Sequence, residues 1–143
     1  MSGYQIVIDT NTFFAALYSQ RGASYKLLSL IDSGKFGIHI STPLILEYEA
    51  VAKRNLENIK LSTQDIDNII DYICMVAKQH KIFYLWRPFL RDARDEHVLE
   101  LAVAASCNFI VTFNLSDFHG VEQAFGVGVI TPKEFLKKIG ELE

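Results

Sequence analysis

Residues 4–8 (Tyr-Gln-Ile-Val-Ile) form a short, nearly continuous apolar run of β-branched and aromatic type, the pattern of a strand buried on both faces. Behind it, residues 12–18 and 24–31 read as two short helices separated by the Gln20-Arg21-Gly22 turn. Gly34 and Gly37 bracket a second strand over residues 36–40. Ser41-Thr42-Pro43 then predicts a helix start, with a hydroxyl for the cap and a proline pre-set for the first turn. That helix runs to about Asn55, and its stripe of Leu44, Ile45, Tyr48, Val51 and Ala52 recurs at helical spacing. Ser62 and Asp65 predict a capping box for a helix ending near Gln79, with Ile66, Ile69, Ile70, Ile73 and Val76 on its buried face. A third strand is expected over residues 81–85 and a further helix over 98–106. Residues 109–112 and 127–130 supply two more strands, and Thr131-Pro132-Lys133-Glu134 a capping box for the last helix. Strands alternating with helices imply right-handed crossovers and a mostly parallel sheet of four to five strands. The expected fold class is a three-layer α/β/α sandwich.

The 143-residue length suits one domain, here residues 1–143, and neither a repeat nor a low-complexity tract divides it. Fourteen Lys and Arg against seventeen Asp and Glu give a net charge of -3, so there is no bulk attraction for a polyanion. Nucleic-acid contact would have to come from a local basic patch or from metal ions. Cys74 and Cys107 sit in apolar segments without a Cys-x-x-Cys pattern, and read as two buried free thiols in a reducing cytoplasm. The first residues lack the basic region of a signal peptide, and no apolar stretch reaches the length of a membrane span.

The placement of the acids changes this picture. Asp9 follows the first strand, Glu47 lies in the helix after the second, Asp92 and Asp95 open the helix after the third, and Asp117 follows the fourth. In an open parallel sheet these positions share the carboxyl edge, where ligands bind near the reversal of strand order. Carboxylates crowded in one cleft need a compensating cation, and hard divalent ions with oxygen ligands provide it. Phosphodiester hydrolysis is the chemistry that suits such a site.

Each acid also has a plainer role. Asp9 serves equally well as a helix cap. Asp92 reads as a cap, whereas Asp95 is favoured for the metal site. Periodicity does not choose between Glu47 and Glu49, each about 100° from the apolar stripe, although Glu47 lies nearer the helix start. His97 reads as a solvent-facing helix residue, and His39, His80 and His119 as structural or surface groups. No glycine-rich phosphate loop follows a strand, and the Asp9-Thr10-Asn11 stretch lacks the Asp-x-Asp of an aspartate-nucleophile phosphatase.

The stretches IVIDTNTFFAAL, STPLILEYEAV, RDARDEHVLELAVAASCNFIVTFNLSDF and VGVITPKEFL together resemble the successive motifs of PIN domains. That family comprises metal-dependent ribonucleases and includes toxins of prokaryotic toxin–antitoxin pairs. The resemblance implies that Asp9, Glu47, Asp95 and Asp117 hold one or two Mg²⁺ or Mn²⁺ ions, with Thr10, Asn11 and Thr112 orienting carboxylates or waters. It favours Glu47 over Glu49. Asn114 stands where some relatives carry an aspartate, so Asp117 must complete the acidic set. The implied activity is endonucleolytic hydrolysis of single-stranded RNA by a metal-activated water. Arg87, Arg91 and Arg94 are candidate RNA contacts or, equally, a solvated charged turn. The resemblance further implies a homodimer and a small antitoxin partner. The alternatives are a noncatalytic PIN-type interaction module and a structure-specific DNA nuclease.

Overall fold

The computed structural model describes residues 3–82 and 89–142. Five strands form one sheet: β1 (Tyr4–Ile8), β2 (Phe36–Ser41), β3 (Lys78–His80), β4 (Phe109–Val111) and β5 (Gly128–Ile130). Their order is β3-β2-β1-β4-β5, and every pairing is parallel. β1 is central, with Ile6 opposite Ile38 on one side and Phe109 on the other. Strand order reverses between β1 and β4, so the ligand-binding crevice of this topology opens at their carboxyl ends.

Helices α1 (Thr10–Tyr18), α2 (Ala23–Ser29), α3 (Thr42–Lys53), α4 (Leu56–Ile59), α5 (Thr63–Val76), α6 (Glu96–Ala104), α7 (Val121–Phe125) and α8 (Pro132–Lys138) flank the sheet. Their starts follow from local chemistry. Ser41 accepts a hydrogen bond from the Leu44 amide with Pro43 in the first turn, and Ser62 and Asp65 form a reciprocal capping box. Thr131 accepts from the Glu134 amide.

The continuous apolar runs of β1 and β4 are buried as expected: Ile6, Val7, Ile110 and Val111 have no exposed surface. Each such aliphatic side chain contributes about 1.5–3 kcal/mol. Phe13 of α1 stacks on Tyr48 of α3, ring centroids 4.3 Å apart, directly behind the carboxyl end of β1. The Tyr48 hydroxyl donates to the Ile8 carbonyl and locks α3 to that strand end. At the opposite edge Tyr4, Phe36, Phe109 and Phe135 pack edge to face. One end of the sheet is thus closed by aromatic rings and the other is lined by polar side chains.

Three expectations need correction. The helix expected to reach Gln79 ends at Val76, because β3 begins at Lys78 and pairs with His39–Ser41 of β2. The third strand therefore precedes the expected 81–85 segment, of which residues 83–85 lie outside the described residues. Cys107 is buried, and burial pushes its thiol up to about 12, leaving it inert. Cys74 is only partly buried because it sits on the flank of the α5 stripe. No helix among the described residues is long and apolar enough to cross a membrane.

Candidate functional site

Asp9 directly follows β1 and caps α1. Its two carboxylate oxygens have separate partners, and only one of them serves the cap. Oδ1 accepts from the Thr10 amide at 2.9 Å, while Oδ2 accepts from the Thr112 hydroxyl at 2.8 Å. Thr112 follows β4, so this bond spans the reversal of strand order.

Asn11 sets the direction of that bond. Its Oδ1 accepts from the Phe113 amide at 3.3 Å and the Thr12 hydroxyl at 3.1 Å, which leaves its Nδ2 to donate to Thr112 Oγ1 at 3.2 Å. Thr112 Oγ1 also accepts from the Asn114 amide at 3.1 Å. With its acceptor capacity filled, the Thr112 hydroxyl gives its proton to Asp9. Burial dominates the Asp9 environment and raises its carboxyl pKa, with Glu47 adding to the rise. Thr112, Thr10 and His97 oppose it.

Glu47 lies on α3 and shares the site: the Thr10 hydroxyl donates to its Oε1 at 2.6 Å. Glu49 points elsewhere, to Lys53 at 2.7 Å, and Lys53 also holds Asp67 at 2.8 Å. His97 is a correction to the solvent-facing expectation. Its Nε2 lies 3.2 Å from Glu47 Oε1, and its Nδ1 is buried without a hydrogen-bond partner. Sequence periodicity could not identify this role, because the partner lies on a different helix.

Asp95 closes the 3-10 turn Ala93–Asp95 at the start of α6. Asp92 caps that turn as expected, accepting from the Arg94 amide at 2.9 Å. Asp95 makes no capping bond of its own. Its carboxyl is pushed up to about 6, first by burial and then by the charges of Asp9, Asp117, Asp92 and Glu47. Helices and turns from four parts of the chain therefore bring the expected acids within electrostatic reach of one another.

Asp117 lies in the 3-10 turn Leu115–Phe118, half-buried, its amide donating to the Asn114 carbonyl at 3.1 Å. Arg91 is exposed. Arg94 is exposed too, and its guanidinium grips Asp92 with a closest contact of 2.8 Å. Arg87 lies outside the described residues. A contact not anticipated from sequence comes from Glu96, whose Oε2 accepts from the Phe89 amide at 2.9 Å and from the Leu90 amide, tying the approach to Asp92 onto α6.

Among the described residues no three His, Cys, Asp or Glu side chains stand close enough together to enclose a metal ion as they are. The donor chemistry nevertheless fits a hard divalent cation. The groups are carboxylate oxygens, burial and then mutual repulsion raise Asp95, and the approaching Arg94 is held by Asp92.

Residues 5–116 match the PIN domain family, and the chain belongs to that family. Asp117 falls one residue beyond the matched span. Among solved structures, the fold is similar to a chain of the crystal structure of VapBC2 from Rickettsia felis bound to a DNA fragment from their promoter. The TM-score is 0.57 and the identity 12%, over 88% of this chain and 96% of that one. At that identity the likeness is one of fold. No curated protein sequence matches this chain.

Proposed function

We propose that this chain is a single-domain, metal-dependent endoribonuclease of the PIN family that cleaves single-stranded RNA, and that it acts in the cytoplasm as a toxin. The observation that carries this reading is Asp95, whose carboxyl is raised to about 6 by burial and four surrounding carboxylates at the reversal point of a parallel sheet. Such repulsion costs stability unless a cation offsets it.

Asp9, Glu47, Asp95 and Asp117 would hold Mg²⁺ or Mn²⁺, as one ion or two. When bound, such an ion supplies a water of lowered pKa and screens charge on the phosphoryl oxygens. The protein's part is preorganisation. Thr10 and Thr112 hold Asp9 by both oxygens, Asn11 fixes the Thr112 hydroxyl, and Thr10 restrains Glu47. Arg94 and Arg91 stand on the segment that leads into Asp95, where a guanidinium can meet the RNA backbone. No covalent enzyme intermediate is required, since water is the nucleophile.

Purified protein is expected to cleave single-stranded RNA with Mg²⁺ or Mn²⁺ and to stop in excess EDTA, with Asp9→Asn inactive. Undiminished cleavage in EDTA overturns the mechanism. A complete absence of cleavage with either metal leaves the noncatalytic interaction module, and preference for DNA flaps leaves the structure-specific nuclease. The family resemblance to toxins supports two partners: a second copy in a homodimer and a small antitoxin. Growth arrest by wild type but not Asp95→Asn, relieved by the product of the neighbouring reading frame, tests the toxin assignment. Sedimentation equilibrium tests the dimer.

A further inference from the structure

Glu47 Oε1 has partners on two other elements: it accepts from Thr10 Oγ1 of α1 at 2.6 Å, and His97 Nε2 of α6 stands in contact with it at 3.2 Å. Among the described residues its Oε2 accepts no hydrogen bond. His97 Nδ1 is buried without a hydrogen-bond partner, so Nε2 is the ring nitrogen that meets another polar group, and that group is Glu47. The contact ties α6, which begins immediately after Asp95, to α3, which carries Glu47. We infer that His97 is a positioning residue of the acid site: with Thr10 it commits Oε1 of Glu47 and leaves Oε2 as the oxygen available to a divalent cation.

The inference rests on reading the acids as a cation site, and it assigns a residue that the acidic motifs do not contain. His97 acts through Glu47 and not on RNA. Its removal should therefore weaken cation binding while leaving RNA recognition intact once cation is saturating. Supporting groups around metal ligands characteristically change metal affinity by about 10–100-fold. A ring that only fills space would change thermal stability and nothing else.

The test is a Mn²⁺ titration followed by electron paramagnetic resonance on the full chain, for wild type, H97A, H97Q, H97N and E47Q. Melting curves identify which variants remain folded. Gln can bring an amide N–H to about the position of Nε2, whereas the shorter Asn cannot. We expect H97A and H97N to bind Mn²⁺ about tenfold or more weakly, H97Q to return to within about threefold of wild type, and KM for single-stranded RNA at saturating Mn²⁺ to be unchanged. Should H97A fail to fold, the H97Q and H97N pair carries the same comparison. Mn²⁺ affinity within twofold of wild type in H97N, or no difference between H97Q and H97N, overturns the inference. So does a raised KM for RNA with Mn²⁺ affinity intact, which would place His97 on the substrate. Failure of the underlying reading has a different signature: wild type shows no saturable Mn²⁺ binding, or E47Q binds as wild type does, and the His97 assignment falls with it.

Discussion

Two polar clusters sit within the same sheet and obey opposite electrostatic logic. On the β2 side, His39 is buried between Gln5 and His80: its Nε2 meets Gln5 Oε1 at 2.6 Å, and its Nδ1 meets His80 Nε2 at 2.8 Å. Gln5 Nε2 in turn donates to the Gly3 carbonyl at 3.1 Å. Gly37 leaves room for this chain, since a Cβ there would stand 2.4 Å from Gln5 Oε1. Burial lowers the pKa of both histidines, so the chain stays neutral and its inward-facing groups are paired. At the reversal of strand order the acids are hydrogen-bonded too, yet after burial the charges of Asp9, Asp117, Asp92 and Glu47 raise Asp95 further. The first cluster has its inward-facing polar groups paired; the second keeps like charge that its hydrogen bonds do not offset, which is what the proposed cation would balance.

The largest expected contrast lies in activity. Asp9→Asn should lower RNA cleavage at least about 100-fold, or about 3 kcal/mol of transition-state stabilisation, while the protein stays folded, the removed buried charge offsetting the acceptor lost to Thr10 or Thr112. His39→Ala should do the reverse: stability falls by about 1–3 kcal/mol as Gln5 and His80 lose their partner, while turnover per folded molecule is retained. Gly37→Ala tests the same cluster without touching a histidine, by displacing Gln5, and should cost about 1 kcal/mol in a denaturation curve. Loss of activity in His39→Ala at full folding would erase the distinction between the clusters.

The pH dependence sharpens it. Asp95 is raised from 3.8 to about 6, so the folded state holds this proton more tightly than the unfolded chain. Its contribution destabilises metal-free protein as pH rises between those values, and Asp95→Asn should remove that slope. His39 and His80 are lowered from 6.5, so the folded state resists their protonation and stability is lost as pH falls below 6.5. Melting curves across pH 4–8 should show the two slopes opposed in wild type, and in Asp95→Asn the acid slope reduced to the part that the raised Asp9 supplies. The smallest effect is expected for Glu49→Gln, whose carboxylate serves the partly exposed Lys53: RNA cleavage should stay within about twofold.

Much of this contrast was legible in the sequence because it rests on local signals. The apolar run before Asp9 marks a buried central strand, and Ser41-Thr42-Pro43 and Ser62-x-x-Asp65 mark helix starts that the structure reproduces. The acids could be placed at one edge because parallel topology itself assigns that edge. What escaped depends on partners distant in sequence or on elements too short for periodicity. β3 has only three residues, Lys-Gln-His, with no apolar alternation, and follows α5 almost directly, so it read as the end of that helix. α4 and α7 span four and five residues, little more than one turn each. His97 resembles any polar residue in a first helical turn until the fold brings Glu47 of α3 within 3.2 Å of it. The His39–His80 pair likewise exists only through the β2–β3 register.

The most direct test of the acid site is calorimetric titration of Mn²⁺ into metal-free wild type and the D9N and D95N variants at pH 6, in two buffers of different ionisation heat. The account predicts saturable binding by wild type with proton release, because Asp95 is partly protonated near its pKa of about 6. It predicts sharply weakened binding by D9N, and a smaller proton release in D95N than in wild type. Absence of saturable binding to wild type, or binding by D9N equal to wild type, would contradict it.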